Sequence, residues 1–386
     1  GTPPPQQNVF YPTVLVAQIS GLHQPTLDPP YDVVIRVNTS WDFSPTTFYY
    51  GLDGKPGPVQ HDFVEIMLHE FAHGLGVVKG SLLADGTFNG GAPFILTLLT
   101  TDSAGTPIVN MSASERMAVM VSDGALIGGP ILQANNGGQR ARWHSPDPYV
   151  DGSSFAHFDE DEYSFVGSLN SLMTPEIDLT PTHVVGPLTL DLLRDMGYVF
   201  ADNLPPVIGI DFPVDGRPVK GAPILRGTAT DTAPGGSANA VGMLKVRAAL
   251  YSEAAGKWYR WSLGNFDNAV FNAANHVKDT VLDNIPIPTG TRNWSLKLPV
   301  GLAEGNYQLH VSGVDQLHQD TSYVYRTFTI DNTAPTVHFA PYAAGTPVFD
   351  PSLLKVLSED ATNVTLTIRR EVSGTEYWNG TAWAGA

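Results

Sequence analysis

The 386-residue sequence contains no cysteine, only 21 basic side chains against 38 acidic ones, and no long apolar run. Without cysteine there is no disulfide framework, and no thiolate for redox or metal chemistry. A net charge of −17 repels phosphate backbones and anionic lipid headgroups, so no nucleic-acid partner is expected. Apolar stretches such as 94–99 fall far short of the roughly 18 residues that a membrane span requires, so none is expected. The chain opens on Gly1-Thr2-Pro3-Pro4-Pro5, without the charged start and apolar core of a signal peptide, so any targeting segment is expected to be gone already or to lie outside this sequence. There is also no pattern of nucleophilic serine with histidine and aspartate, and no glycine-rich phosphate loop.

What remains is ample for folding. A hydrophobic content of 42% lets each of about two or three domains bury a core. The 38 glycines and 31 prolines are scattered between apolar runs, which reads as many turns rather than low complexity. Absent cysteine, acidity and turn-rich β segments fit an exported bacterial protein, so a secreted or cell-surface location is expected.

Chemistry-bearing residues crowd the first half, and from about Asn203 strand-like segments alternate with Gly, Asp and Asn turns. Ala201-Asp202-Asn203-Leu204-Pro205-Pro206 reads as the boundary. Before it, residues 186–197 predict a helix with Pro187 in its first turn, Gly197 at its end, and Leu188, Leu192, Leu193 and Met196 on a buried face. After it, Pro205-Pro206-Val207-Ile208-Gly209-Ile210 matches Ala334-Pro335-Thr336-Val337-His338-Phe339, and each copy leads to a Trp-bearing segment, at 256–261 and 374–383. Two copies of one β-sandwich module are expected, at 201–332 and 333–386. The second lacks its last strands, which would leave an unpaired edge, so the chain is expected to be part of something longer. These modules resemble the bacterial Ig-like repeats of secreted proteins. The fold class expected is multidomain, an α+β domain over 1–200 followed by all-β Ig-like sandwich modules.

His69-Glu70-Phe71-Ala72-His73 is the segment that points to a reaction. On a helix, residues four apart share a face, so both imidazoles can reach one Zn²⁺ while Glu70 sits beside the metal's open position. A helix is supported by Asp62 as N-cap with Glu65 three residues into it, and by the apolar Phe63, Val64, Met67, Leu68, Phe71 and Leu75; Gly74 and Gly76 end it. A catalytic zinc needs a third protein ligand. The extended pattern H-E-x-x-H-x-x-G-x-x-H holds at His69, Glu70, His73 and Gly76, but its last position is Lys79, whose ammonium does not coordinate at neutral pH. The downstream candidates are His144, His157 and His183, with Glu115 or Glu160 as acidic alternatives. Around His157, Ser153-Ser154-Phe155-Ala156-His157-Phe158-Asp159 is followed shortly by Asn170-Ser171-Leu172-Met173-Thr174-Pro175.

Those two stretches, together with Tyr11-Pro12 through Asn38, Tyr49-Tyr50-Gly51-Leu52-Asp53-Gly54, residues 69–76, Ser114-Glu115-Arg116 and the helix up to Tyr198, carry a family resemblance. The chain resembles leishmanolysin-like metzincins, and more closely a group of secreted bacterial zinc metallopeptidases that often hold a protease-associated domain insert. The likeness covers most of residues 10–200. It implies His69, His73 and His157 as zinc ligands, Glu70 as the catalytic acid/base, and Met173 as the methionine of the turn beneath the metal. Two departures stand out. About forty residues separate Arg116 from His157, which leaves no inserted domain, and the stretch before the zinc helix is short for a complete upper subdomain. Part of the upstream sheet is therefore expected on a separate segment.

The expected function is that of a secreted zinc endopeptidase acting on protein or peptide substrates, with a pro-segment or upstream segment of the same precursor as a further partner. Residues 31–37 alternate as a strand would and are the expected substrate-binding edge. Asp159-Glu160-Asp161-Glu162 is a candidate Ca²⁺ site, against the commoner reading of a solvated surface. His183 is expected to be structural, and Glu115 to pair with Arg116. The alternative reading is an adhesive or surface-assembly Ig-like protein whose zinc site is structural or latent, marked by a fourth ligand closing the metal.

Overall fold

The computed structural model describes residues 6–21, 31–40, 47–176, 181–234, 240–283, 290–334, 336–340, 355–359, 363–367, 369–371, 375–378 and 383–385. It is a mixed α and β structure with many small sheets and few helices, organised by two hydrophobic cores. One core draws on residues from Leu15 to Tyr198, the other on residues from Ile208 to Ile330.

In the first part, strand Thr47–Tyr49 runs parallel to Gln60–Asp62, and the chain passes from the latter directly into helix Phe63–Gly74. Asp62 accepts hydrogen bonds from the Val64 and Glu65 amides at 2.9 and 3.1 Å, satisfying two of the donors that a helix start leaves unpaired. Glu65 does not close a reciprocal box with Asp62. It turns instead to the Thr182 amide at 2.8 Å, while His183 Nε2 meets Asp62 Oδ1 at 2.9 Å. Segment 182–184 thus clamps the start of the helix, with His183 buried.

The exit from the same helix depends on Gly76. Its φ is +105°, and a Cβ there would lie 2.4 Å from Pro12 Cγ and 2.8 Å from Met196 Cε, so neither the backbone nor the space tolerates another residue.

Helix Pro187–Met196 forms where the sequence predicts it, with Gly197 in the left-handed conformation at its end. Leu188, Leu192, Leu193 and Met196 are all buried, but so is Asp191 on the other side, held by Asn135 and Arg194. Its neighbour Asp195 serves a second helix. Helix Pro130–Asn135 has no side-chain cap of its own, and the Asp195 carboxylate accepts from the amides of Gly129, Ile131 and Leu132 at 2.8, 2.9 and 3.0 Å. Asp195→Ala would strand three donors at once, and a loss of about 2–3 kcal/mol in chemical denaturation is expected. A loss below about 0.5 kcal/mol would mean that water replaces the carboxylate freely.

The second core lies between two sheets. The larger has the order Asn265–Asn268, Lys257–Arg260, Met243–Ser252, Gly305–Asp315, Val324–Ile330, Arg217–Val219, with Val277–Asp279 also paired to Met243–Ser252. The smaller runs Val281–Leu282, Thr291–Lys297, Ile224–Thr230, Val207–Phe212. Thr291–Lys297 alternates exposed or half-buried with buried residues along its length, as a strand with one face on a core must. Trp294 fills the centre at 1% exposure, and its indole donates to Gly209 O at 3.0 Å. Beyond residue 335, strands Thr336–Ala340 and Lys355–Glu359 pair, and Arg369–Glu371, Thr375–Trp378 and Trp383–Gly385 make a three-stranded sheet. Among the described residues no helix is long and apolar enough to cross a membrane.

Two expectations need correction. Residues 31–37 do not form a strand: no ladder partner lies beside them among the described residues, and alternation alone cannot supply one. Glu115 does not ion-pair with Arg116. Helix Ala113–Met120 begins with a capping box in which Ser112 and Glu115 satisfy each other's amides, and Arg116 donates to the Gly86 and Met111 carbonyls.

Candidate metal centre

His69 and His73 project from one face of helix Phe63–Gly74, and His157 arrives from a loop almost ninety residues further on. The loop is anchored on both sides of the histidine. The His144 amide donates to His157 O at 2.9 Å, the Phe158 amide donates to Met173 O at 2.8 Å, and the Phe158 ring, fully buried, packs edge-on against Trp143 at 5.3 Å. Burying such a ring stabilises the loop by roughly 1.5–3 kcal/mol, enough to hold a ligand in position.

The three imidazole centroids lie 4.6, 4.9 and 5.1 Å apart, and one nitrogen from each falls within 4.8 Å of the others. Each Nδ1 faces a main-chain carbonyl: His69 meets Leu172 O at 2.6 Å, His73 meets Val77 O at 2.6 Å, and His157 meets Ser153 O at 2.8 Å. A carbonyl can only accept, so each Nδ1 carries the hydrogen, and a neutral ring held this way presents its Nε2 lone pair. The turn at Gly76 is what returns Val77 O to His73, and the short 3-10 turn Ser171–Met173 is what supplies Leu172 O. Met173, fully buried, belongs to that turn.

His69 Nε2 and His157 Nε2 are 3.2 Å apart. Two lone pairs facing each other at that distance repel unless a cation sits between them. A proton is disfavoured there: burial first, and His73 second, hold the His69 pKa below its ordinary value, and burial drives His157 down to about 3. A metal ion fits the same geometry. Ligands at 2.0–2.1 Å in a tetrahedron stand roughly 3.3 Å apart, and three neutral imidazoles are a donor set suited to Zn²⁺.

Glu70 is exposed and, with His73, lines a cleft of about 430 Å³ whose opposite wall is residues 33–38. Val33, Val34, Ile35 and Val37 give that wall an apolar character, with Arg36 and Asn38 as its polar groups. Residues 33–38 therefore flank the site, although not as a sheet edge.

The other candidates lie elsewhere. His144 makes backbone bonds to residues 155 and 157 but is outside the nitrogen cluster, as are His183, Glu115 and Glu160. Lys79, at the last position of the extended histidine pattern, bonds Asp151 at 2.6 Å and Tyr149 OH at 2.6 Å. It thereby ties the chain just after the helix of His69 and His73 to the loop that brings in His157. The acidic run at 159–162 does not converge on an ion among the described residues. Asp159 caps helix Glu160–Tyr163, Arg142 reaches both Asp159 and Glu162, and Glu160 accepts the Glu176 amide. Sequence reasoning missed the three carbonyls that orient the imidazoles, since a backbone acceptor leaves no residue signature.

No protein-family model matches the chain, and no curated protein matches it. Among solved structures, dimeric latent PorU from Porphyromonas gingivalis is similar at 15% identity and a TM-score of 0.23, over 36% of this chain and 12% of that one.

Proposed function

We propose that this chain is a secreted zinc-dependent endopeptidase, a metzincin-like α+β domain followed by Ig-like sandwich modules, with Glu70 as general acid/base. The observation that carries the reading is the convergence of three imidazoles, each oriented by a carbonyl, beside a glutamate that lines an open cleft. His69, His73 and His157 would hold Zn²⁺, which would supply Lewis acidity for a carbonyl and lower the pKa of water to about 7.

The remaining work belongs to this chain's own side chains. Glu70 takes a proton from the attacking water and returns it to the leaving amine, which requires a carboxylate exposed to the cleft rather than sealed in the core. The cleft along 33–38 accepts an extended peptide, with the valine-rich wall contacting its side chains. The carbonyl bonds to Nδ1 keep the imidazoles from rotating, and such outer partners support metal affinity by about 10–100-fold.

The test is elemental analysis paired with hydrolysis of an unstructured protein such as casein. One zinc per chain is expected, with cleavage abolished by a chelator and restored by stoichiometric Zn²⁺. A chain that holds its zinc and cleaves no unstructured substrate would instead support the structural or latent site.

A further inference from the structure

A second convergence of ligand atoms lies at the junction of the two cores, and none of the chemistry above uses it. Asp202 belongs to the connecting segment, Asp231 follows strand Ile224–Thr230, and Asp315 ends strand Gly305–Asp315. Their exposures are 4%, 0% and 0%, and one carboxylate oxygen from each lies within 4.8 Å of the others.

Backbone amides occupy part of this oxygen set. Asp202 accepts from Val241 at 2.9 Å and Leu204 at 3.3 Å, Asp231 from Gly242 at 2.6 Å, and Asp315 from Gln319 at 2.8 Å. Asp231 Oδ1 and Asp315 Oδ2 are left buried with no hydrogen-bond donor among the described residues. Among the described residues no side-chain cation offsets them. Arg194, which stands at the same junction, turns to Asp191 at 3.2 Å. Burial, and then repulsion among the three, raise Asp231 to about 6 and Asp315 to about 7. A buried cluster of like charges with orphaned acceptors is stabilised by a positive charge placed among them.

We propose that Asp202, Asp231 and Asp315 hold a Ca²⁺ ion that staples the connecting segment to the two-sheet unit. The donors are all oxygen, which selects a hard cation. Mg²⁺ keeps several waters and takes one or two carboxylates, whereas a buried set of three suits Ca²⁺. Oxygens on opposite sides of a Ca²⁺ stand roughly 4.8 Å apart, which accommodates this cluster. The ion would give both orphaned oxygens a partner and neutralise two of three charges. It would also fix a joint already in contact: the Gly186 amide bonds Gln316 Oε1 at 3.1 Å, and Arg194 reaches Leu317 O at 3.4 Å.

The experiment uses the full chain with its imidazole site saturated with Zn²⁺, and measures bound calcium by equilibrium dialysis alongside the melting temperature. One Ca²⁺ per chain is expected, with a rise in melting temperature of roughly 5–10 °C at a hundredfold excess over Kd. Asp231→Asn and Asp315→Asn should each lose the calcium and the rise, yet melt no lower than the calcium-free wild type, because each removes a repelling charge. That last result separates a lost ligand from a failure to fold. Asp161→Asn, in the exposed acidic run, should change neither readout. No calcium bound at about 1 mM, the weak end for extracellular sites, would overturn the proposal. So would full binding by Asp231→Asn.

Discussion

Glu70→Gln should leave zinc at one per chain and lower the turnover of an unstructured protein by about 10²–10⁴-fold, the range that a positioned general acid/base contributes. The two effects separate because Glu70 is not part of the group whose ligand atoms converge; it lines the cleft instead. The amide of glutamine keeps the size and loses the ability to take a proton at neutral pH. Parallel loss of zinc and activity would mean that Glu70 is needed to build the site rather than to use it. Unchanged activity would remove Glu70 from the reaction altogether. The readout is a pair of numbers, metal content and kcat, measured on one preparation.

His157→Ala should act the other way, on the metal first. Outer partners of a ligand are worth about 10–100-fold in affinity, so loss of a ligand itself should weaken zinc binding by more than about 100-fold. His69 and His73 would remain as a two-point site, unable to hold the ion against a chelator. His144→Ala, at a residue bonded to the same loop through its backbone alone, should leave zinc affinity within a few-fold of the wild type.

The same residue has a pH signature in the metal-free chain. His157 falls from the ordinary 6.5 to about 3 in the folded state, so between those values the unfolded chain binds the extra proton. Stability from this residue is therefore present above about 6.5 and is lost as the pH falls toward 3. His157→Ala should flatten that part of the acid limb, and an unchanged limb would assign it to other groups.

Features governed by short spacing were legible from the residues alone. The helix at 63–74 with its Asp62 cap, the pair His69 and His73 with Glu70 between them, and the helix before Gly197 follow from periodicity and end signals. These depend on neighbours within one or two turns, which any sequence displays directly. Alternation at 31–37 misled for the complementary reason: a strand needs a partner strand, and period two describes a face without providing a neighbour.

By itself, then, the sequence determined the helix that carries two imidazoles, the acid beside them, and the exclusion of thiolate chemistry. It narrowed the third ligand to a short set of histidines and acids, and a family likeness favoured His157. Only the tertiary structure brought His157 Nε2 to 3.2 Å from His69 Nε2, turned three carbonyls onto three Nδ1 atoms, and closed Asp202, Asp231 and Asp315 into one buried cluster. The Val77 and Ser153 carbonyls lie four residues from their histidines, whereas the approach of His157 to His69, the Leu172 carbonyl on His69 and the aspartate cluster join residues far apart along the chain. Their meeting is set by how loops close over two cores, and no local pattern encodes that closure.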